Sequence, residues 1–409
     1  MKVKTFGAVD ERSLAQLRRC MEAGGAELGV LCADHHLGYS QPIGGGIAYE
    51  GHVSPSGVGF DIGCGNKAAR TELTRADLDA LGGVERLMEE ITRRISFGVG
   101  VPARERTDHP VLDRIRHADF APQRKLARLA ESQLGTVGAG NHYVNLMEDE
   151  RGRIWVGVHF GSRGFGHKTA TGFLALALGL PFEGKPAEGG MDSPPVLFEL
   201  GSELADSYIA AMELAGAYAY AGRDVVVRKV LEILGAEAVH EVHNHHNFAW
   251  REEHFGRTYW VVRKGCTPAY PGQEGFVGGT MGDESVILAG VAGREAEESL
   301  FSTVHGAGRV MSRSQAAGRF RYRKRRIDGR TVRVREQVKP GSVDWPAVQA
   351  RLREKGIVLV GGAADEAPEV YKRLPDVLAA HAGSIEVAHR LRPLGVAMAG
   401  QDAEDPYRD

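Results

Sequence analysis

Residues 54–66 read SPSGVGFDIGCGN, in which four glycines surround one carboxylate, Asp61, and one thiol, Cys64. This is one of six glycine-rich loops in a chain that contains 54 glycines, roughly twice the usual share of about 7%. Glycine lets backbone amides approach a ligand closely and adopts positive φ angles without strain. Because each loop also contains a polar or ionisable residue, the pattern indicates functional loops. The other five are PIGGGIAYEG (42–51), GTVGAGNH (135–142), FGSRGFGH (160–167), PGQEGFVGGTMG (271–282) and VHGAGR (304–309).

Short β-branched runs that end in polar clusters predict strands whose ends carry the functional loops. The order of the predicted elements shows neither regular βαβ alternation nor an internal repeat, which argues against a doubly wound sheet and a solenoid. We therefore predict a mixed α/β (α+β) fold with mixed sheets, as one domain over residues 1–409. Gly179–Pro194 is interpreted as a surface loop leading into the longest helix. The predicted strands are Leu28–Ala33, Ile154–Phe160, Thr258–Arg263, Ser285–Ala289 and Ile357–Val360, and the predicted helices span 10–23, 75–96, 123–133, 197–234, 345–355 and 369–382.

The composition is that of an ordinary globular protein, with 43% hydrophobic residues, 25% charged residues and a net charge of -2. These values exclude a disordered, collagen-like or coiled-coil chain. The first twenty residues lack the apolar core of a signal peptide, and no run of eighteen uncharged apolar residues occurs, so we expect neither export nor a membrane span. The four cysteines are too few and scattered for a disulfide scaffold, which favours the cytoplasm.

One segment is strongly basic, since residues 319–335 read RFRYRKRRIDGRTVRVR. Two interpretations stay open. The segment is either a solvated hairpin with its turn at Ile327–Arg330, or a surface that follows the phosphates of a nucleic acid.

Histidine gives the main functional signal. A single histidine is more often a packed, hydrogen-bonded ring than a functional group, but several in equivalent glycine-rich or polar loops reverse that expectation. Of the sixteen, eight lie in or beside such loops: His35, His36, His142, His159, His243, His245, His246 and His305.

A metal site is the first chemistry these residues suggest. Asp61 and Cys64 can turn toward one point, and oxygen, sulfur and imidazole donors together suit a borderline divalent ion. His142, His159 and His246 supply enough further ligands for two ions that share the Cys64 thiolate. Zinc and manganese are both allowed, and the lack of any CxxC pair argues against a closed structural zinc site.

His305 suggests a different chemistry, because two glycines and an arginine follow it in His305-Gly306-Ala307-Gly308-Arg309. Backbone amides and a guanidinium can together hold a phosphate group. A neutral imidazole there either attacks phosphorus or only hydrogen-bonds to the phosphate, and the spacing allows both.

In their order, the motifs resemble the RtcB family, the GTP- and manganese-dependent RNA ligases that join a 2′,3′-cyclic phosphate or 3′-phosphate end to a 5′-hydroxyl. The resemblance spans nearly the whole chain. It is carried by Ala33–Gly38 (ADHHLG), Gly59–Gly65 (GFDIGCG), Gly140–His142 (GNH), His159–Gly164 (HFGSRG), His246-Asn247, Arg263–Gly265 (RKG), Gly279–Gly282 (GTMG), His305–Arg309 (HGAGR) and Tyr371-Lys372.

This resemblance implies that His305 is the catalytic nucleophile, which forms a histidine–GMP adduct and passes GMP to the RNA 3′-phosphate before the 5′-hydroxyl displaces it. It implies one manganese on Asp61, Cys64 and His142 and a second on Cys64, His159 and His246. It also implies that Asn141 contacts the GMP phosphate, that Thr280 and Ser285 face the guanine, and that Tyr371 packs near the nucleotide. The full predicted nucleotide site comprises Asn141, His142, Tyr143, Asn145, His246, Asn247, Gly279, Thr280, Met281, Ser285, His305, Gly306, Ala307, Gly308 and Tyr371.

Two positions depart from the family pattern. Asn145 stands where the family usually has a glutamate that reads guanine, and Met398 stands where it commonly has a lysine near the C-terminus. Losing a charged partner can cost about 2–3 kcal/mol of discrimination, so we expect a weaker preference for GTP over ATP.

RNA is the expected partner, and a monomeric state is compatible with the sequence. Two alternatives remain open at this stage. One is a divergent paralogue that performs another nucleotide-dependent phosphoryl transfer, such as end capping or cyclic phosphate hydrolysis. The other is a metal-containing RNA-binding protein without turnover.

Overall fold

Antiparallel strand pairing dominates the two large sheets of the protein, and helices pack against both. The computed structural model describes residues 1–186, 190–327 and 330–401. It confirms the predicted mixed α/β class. The strands are β1 (Lys2–Thr5), β2 (Leu28–His36), β3 (Ile43–Tyr49), β4 (His52–Val53), β5 (Gly65–Arg70), β6 (Tyr143–Asp149), β7 (Ile154–Phe160), β8 (Phe198–Glu199), β9 (His240–His245), β10 (Asn247–His254), β11 (Arg257–Lys264), β12 (Cys266–Pro268), β13 (Glu274–Val277), β14 (Ser285–Gly290), β15 (Ser302–Val304), β16 (Gly318–Ile327), β17 (Arg330–Pro340), β18 (Val358–Gly362) and β19 (Ile385–Gly400).

The helices are mostly short, with one long exception, α9, whose start and end are capped. Ser202 accepts a hydrogen bond from the Ala205 amide at its start, and Gly235 adopts φ 61° at its end. The helices are α1 (Glu11–Ala23), α2 (Pro55–Val58), α3 (Arg75–Ala80), α4 (Gly83–Arg94), α5 (Pro110–Arg116), α6 (Ala121–Arg124), α7 (Ala127–Gln133), α8 (Arg163–Ala177), α9 (Glu203–Leu234), α10 (Arg294–Glu298), α11 (Arg313–Ala317), α12 (Trp345–Glu354) and α13 (Leu374–Ala379), with 3-10 turns at Ala364–Glu366 and Pro368–Val370.

The eight-stranded sheet places several functional loops at one end. Its path is β13-β14-β19-β6-β7-β5-β9, and β18 adds to β19 in parallel. Gly65, the first residue of β5, pairs with Phe160, the last residue of β7, and with His245, the last residue of β9. Tyr143, the first residue of β6, pairs with His159. Because these pairs lie at the same end of neighbouring strands, the loops beside them converge.

A second sheet, ordered β1-β2-β3-β11-β10, meets the first where β9 ends and β10 begins. Between them, β12 pairs with β15 so that Cys266 faces Val304. This pairing carries the start of the 304–309 loop to the junction of the two sheets. Helix α9 lies against β5 and β7 on the far side, and it contributes an almost entirely buried face to the core.

Several predicted helices begin or end elsewhere. The predicted helix 75–96 is two helices, α3 and α4, because Gly82 and Gly83 have φ angles of 103° and 87°, outside the helical region. The predicted helix 123–133 is likewise divided into α6 and α7. The helix predicted to start at 197 starts at Glu203, since Phe198 pairs with Val53 in β4.

The predicted helix 369–382 is wrong in its first half. Tyr371 forms an isolated bridge with Arg309, and the helix itself starts only at Leu374. Of the predicted strands, Ile154–Phe160 has the predicted bounds, and the others differ by a few residues at their ends.

Two loop predictions fall partly outside the described residues. Within Gly179–Pro194, residues 187–189 are not described, and the described remainder contains neither helix nor strand. In the basic segment, β16 and β17 pair as an antiparallel hairpin up to the pair Ile327 and Arg330, and the turn residues Asp328 and Gly329 lie outside the described residues. Among the described helices, none is long and apolar enough to cross a membrane.

Candidate metal and nucleotide site

The first group of predicted ligands lies around His142. Its Nε2 atom is 3.2 Å from Asp61 Oδ2 and 3.6 Å from Cys64 Sγ. His142 and Cys64 are buried, and Asp61 is half-buried in the turn that precedes β5. The donor atoms of all three lie within 4.8 Å of one another, a spacing that one metal ion can bridge.

The second group shares the Cys64 thiol. His159 Nε2 lies 3.8 Å from Cys64 Sγ, and the rings of His159 and His246 have centroids 5.2 Å apart. The donor atoms of Cys64, His159 and His246 also lie within 4.8 Å of one another. The His246 Nδ1 atom is buried without a hydrogen-bond partner among the described residues. A buried unpaired imidazole nitrogen beside a thiol fits a metal ligand better than a packed histidine.

The electrostatics of both groups favour a bound cation. The pKa of Asp61 lies below its ordinary value: burial raises it, but the hydrogen bond and charge of His142, together with the charge of Arg163 and a hydrogen bond to Cys64, lower it further. Burial, together with the negative charge of Asp61, raises the pKa of the Cys64 thiol. A divalent ion among these donors would offset the cost of placing a carboxylate and a thiolate side by side.

Residues that were not predicted from the sequence hold the predicted ligands in place. Asn66 Oδ1 lies 2.7 Å from His159 Nδ1, which orients the ring so that Nε2 faces Cys64. Arg223, fully buried in α9, donates to the Gly63 carbonyl at 2.9 Å and to the Phe160 carbonyl at 2.6 Å. Its only sequence signal is a charged residue within an apolar helical run. The arginine thus ties the end of β7 to the loop that carries Asp61 and Cys64.

The predicted nucleophile, His305, has a carboxylate partner that comes from a distant strand. Asp34 Oδ2, in β2, accepts hydrogen bonds from His305 Nδ1 at 2.6 Å, from the His305 amide at 3.0 Å and from the Gly306 amide at 3.3 Å. Burial raises the pKa of Asp34, but the charge and hydrogen bonds of His305 lower it further, so it lies below its ordinary value. An ionised carboxylate only accepts, which places the ring proton on Nδ1 and leaves Nε2 with its lone pair.

His305 also lies next to the predicted metal ligands. Its ring centroid is 4.8 Å from that of His246, and its side chain is 15% exposed, so one edge of the ring is open. Gly308 follows at φ 77° and packs so closely on the Asp34 carbonyl that a Cβ atom would overlap it. Asp34 lies in one of the motifs that resemble the family, but no role was predicted for it.

The other histidines of the candidate set make protein contacts. His35 Nδ1 lies 2.6 Å from the Cys32 carbonyl, and its Nε2 accepts from the Asp10 amide. His36 Nδ1 lies 3.3 Å from the Asp34 carbonyl. His243 and His245 both hydrogen-bond to the buried guanidinium of Arg223 in α9, at 2.8 and 3.0 Å.

Beside the ligands, β6 presents two unpaired polar atoms on one face. The Tyr143 hydroxyl and the Asn145 Oδ1 atom are buried and have no hydrogen-bond partner among the described residues. Residues two apart in a strand share a face, so both atoms point the same way. Met398 pairs with Tyr143 across the sheet, and Met281 joins both in one apolar cluster. The two methionines and the tyrosine thus form an apolar wall, with the Asn145 amide nearby.

The 279–285 turn is internally hydrogen-bonded. The Gly279 amide donates to Ser285 Oγ at 3.0 Å, and Thr280 Oγ1 donates to Asp283 Oδ2 at 2.6 Å. The two hydroxyls predicted to face guanine therefore already have protein partners.

The remaining predicted nucleotide contacts surround the same region. Asn141 is exposed in the loop before β6, and Ala307 is buried beside His305. Asn247 accepts from the Gly265 amide at 2.8 Å and donates to the Asp61 carbonyl at 3.4 Å, so it joins loops from both sheets.

Tyr371 lies in a small ionic network. Its hydroxyl accepts from Arg309 at 3.2 Å and donates to Glu366, a buried carboxylate. Burial, followed by the charge of Glu366, raises the pKa of Tyr371.

Comparison with known proteins shows the family of the chain. The family model described as "tRNA-splicing ligase RtcB" matches residues 16–399. The RNA-splicing ligase RtcB of Escherichia coli (strain K12) is 31% identical over 388 residues, covering 88% of this chain and 87% of the relative. The tRNA-splicing ligase RtcB of Archaeoglobus fulgidus is 32% identical over 451 residues, covering 90% and 87%. That of Thermococcus kodakarensis is 29% identical over 470 residues, covering 95% and 91%. The chain therefore belongs to the RtcB family of RNA ligases.

Proposed function

We propose that this RNA ligase joins 2′,3′-cyclic phosphate or 3′-phosphate RNA ends to 5′-hydroxyl ends through a GMP adduct on His305. The observation that carries the proposal is the position of this ring. Its Nδ1 atom is held by Asp34 at 2.6 Å, and the ring lies beside His246 of a cluster in which two ligand groups share one thiol. A structural histidine would not need both an orienting carboxylate and a neighbouring metal site.

Two divalent ions, proposed to be manganese, fit the donors present. Asp61, Cys64 and His142 would hold one ion, and Cys64, His159 and His246 would hold the other. Sulfur and imidazole donors suit manganese or zinc better than magnesium, which prefers an octahedron of oxygens. When bound, such ions neutralise phosphate charge during displacement at phosphorus.

In the proposed first step, His305 Nε2 attacks the α-phosphorus of GTP. The bond from that phosphorus to the oxygen bridging the β-phosphate breaks, and pyrophosphate leaves. Asp34 keeps the ring in the reactive tautomer and stabilises the positive charge that the ring gains when Nε2 binds phosphorus.

The later steps transfer the GMP group. Water attacks the phosphorus of the cyclic phosphate, the bond from phosphorus to the 2′-oxygen breaks, and a 3′-phosphate and a 2′-hydroxyl result. An oxygen of this 3′-phosphate then attacks the phosphorus on His305. The phosphorus–nitrogen bond breaks and gives an RNA(3′)pp(5′)G end. The 5′-hydroxyl of the second strand then attacks the RNA 3′-phosphorus, and GMP leaves with the bridging oxygen.

Intact mass after incubation with Mn²⁺ and each nucleoside triphosphate in turn tests the proposal. We expect an adduct with the mass of GMP. Mild acid should remove it, because a phosphoramidate on imidazole is acid-labile, and the His305→Ala variant should not form it. Joining of a pre-activated RNAppG end should survive in His305→Ala, since only the first step needs the nucleophile. An adduct that persists in His305→Ala would contradict the assignment.

The proposed location is the cytoplasm. All four cysteines are free thiols, and a reducing compartment would keep Cys64 available as a ligand. The proposed partner is RNA with the ends named above, and we propose a monomer as the acting unit.

A further inference from the structure

One hairpin carries a large net positive charge. Residues 319–339 contain ten basic and two acidic side chains, a net charge of +8. The whole chain has 51 basic and 53 acidic residues and a net charge of -2, so the remainder carries -10. We call residues 319–339 the basic hairpin. A segment this basic on an otherwise acidic protein creates a local field that attracts polyanions.

We propose that the basic hairpin binds the phosphate backbone of the RNA substrate outside the two reacting ends. The identification of the polyanion as RNA rests on the proposed function. The position and exposure of the charges are observed independently of that function. Nothing in the proposed chemistry requires the hairpin, because none of its described residues lies among the proposed metal ligands or beside His305.

Part of the surface of the hairpin is exposed. Strands β16 and β17 pair only with each other among the described strands, and they join neither large sheet. Arg319, Arg321 and Arg326 are exposed and have no ion-pair partner among the described residues. Phe320 is 37% exposed between two of these arginines. Exposed aromatic rings among arginines are typical of surfaces on which single-stranded bases stack while cations follow the backbone.

One acidic residue reduces the charge of this surface. Glu336 lies 3.3 Å from the Arg323 guanidinium and also pairs with Arg325. All three are at the surface, where such pairs are worth about 0–1 kcal/mol, so a phosphate can compete for these arginines. Replacing Glu336 by a neutral residue should therefore raise RNA affinity, whereas replacing an arginine should lower it.

The base of the hairpin lies next to the proposed active site. Strand β16 follows α11 directly, and Arg313 of α11 pairs with the buried carboxylates Asp365 and Glu366. The same guanidinium packs closely against Gly140, in the loop that ends in His142. RNA that extends from the metal site along α11 therefore reaches the basic hairpin.

Fluorescence anisotropy with a single-stranded RNA that carries 5′-phosphate and 3′-hydroxyl ends tests the proposal. This probe has neither reactive end, so it reports binding alone. The hairpin variant is Arg319→Gln/Arg321→Gln/Arg326→Gln. The matched control, Arg18→Gln/Arg114→Gln/Arg128→Gln, removes the same charge from exposed helical positions elsewhere.

We expect the hairpin variant to lower the slope of log affinity against log salt by about 2, at about 0.7 per lost single-strand phosphate contact. At about 0.1 M salt, three such contacts correspond to roughly a hundredfold loss of affinity. The control variant should change the slope by only a small fraction of the change in the hairpin variant. Glu336→Gln should raise affinity severalfold, because it frees Arg323 and Arg325.

Equal losses in the hairpin and control variants would overturn the proposal, since net charge alone would then explain binding. Stronger binding of the wild type to anionic phospholipid vesicles than to RNA would overturn it as well. Adduct formation with free GTP, measured by intact mass, separates the two claims. Unchanged RNA affinity with a normal adduct refutes the hairpin alone, whereas a missing adduct in wild type refutes the proposed chemistry and leaves the RNA-binding result standing.

Discussion

Replacing Asp34 by asparagine should slow adduct formation about tenfold rather than abolish it. All three hydrogen bonds that reach this side chain end on Oδ2, and Oδ1 is buried with no partner among the described residues. An asparagine in the same rotamer can keep its oxygen at the Oδ2 position and place its NH₂ group at the unpaired position. His305 then still donates from Nδ1, so the reactive tautomer is retained.

At the bond to His305, the substitution removes the negative charge and keeps an acceptor. A net hydrogen bond to a charged group is worth about 1.5–3 kcal/mol and one between neutral groups about 0.5–1.5 kcal/mol, so the ring bond loses about 1–1.5 kcal/mol. The ring gains positive charge as Nε2 binds phosphorus, so this loss falls on the transition state. It corresponds to roughly a tenfold lower rate, at about 1.4 kcal/mol per factor of ten.

Asp34→Ala provides the comparison. It leaves the His305 ring nitrogen and two backbone amides without their acceptor, at about 1–3 kcal/mol for each buried donor, and it no longer fixes the tautomer. We expect a rate at least a hundredfold below that of Asp34→Asn. Single-turnover intact-mass kinetics with Mn²⁺ and GTP measures both, and joining of an RNAppG end serves as the folding control. If Asp34→Asn were as slow as Asp34→Ala, its amide would have rotated and reversed the tautomer, and the reasoning from Oδ2 would be refuted.

Three further predictions concern the metals, the nucleotide and stability. Cys64→Ser should lose both divalent ions, because both ligand groups share its thiol and a hydroxyl is a poorer ligand; metal analysis that still finds two ions per chain would contradict the sharing. Wild type should prefer GTP over ATP only weakly, and Asn145→Glu with Met398→Lys should raise the preference by roughly one to two orders of magnitude in adduct yield; a wild type that accepts GTP alone would show that the base is read elsewhere. Glu252 pairs in two hydrogen bonds of 2.7 and 2.9 Å with the fully buried Arg263. Burial raises the pKa of Glu252, but the charges and hydrogen bonds of Arg263 and His254 together lower it to about 2. The contribution of Glu252 to the free energy of unfolding should therefore be present above its ordinary pKa of 4.5 and disappear as the pH falls toward 2. By chemical denaturation, Glu252→Gln should lower the free energy of unfolding by about 3–5 kcal/mol at neutral pH and by little at a pH near 2. An equal cost at both pH values would show that packing, not charge, is responsible.

The sequence by itself predicted which types of side chain form the metal site and which loops carry them. Five candidate ligands were predicted from oxygen, sulfur and imidazole donors in or beside glycine-rich or polar loops. The structure brings the donor atoms of all five together: Asp61, Cys64, His142, His159 and His246. This was possible because glycine loops at strand ends are local features. Their residue types can be recognised in the sequence, whereas the pairing of β5 with β7 and β9 brings the loops together.

Local patterns also predicted several elements, but they failed where a tertiary contact was stronger. The segment around Tyr371 has a helical pattern, yet its backbone forms a bridge with Arg309. The helix predicted for 75–96 breaks because Gly82 and Gly83 adopt positive φ angles that periodicity does not reveal.

Only the tertiary structure decided which groups orient the chemistry. Asp34 and His305 are separated by 271 positions, and they meet because β12 pairs with β15 beside β2. Arg223 likewise reaches the carbonyls of Gly63 and Phe160 only because α9 lies against β5 and β7. Strand register and helix packing bring these groups within hydrogen-bond distance, and both depend on contacts between residues far apart in the chain. Sequence spacing therefore gives the donors of the site, whereas the fold determines their partners.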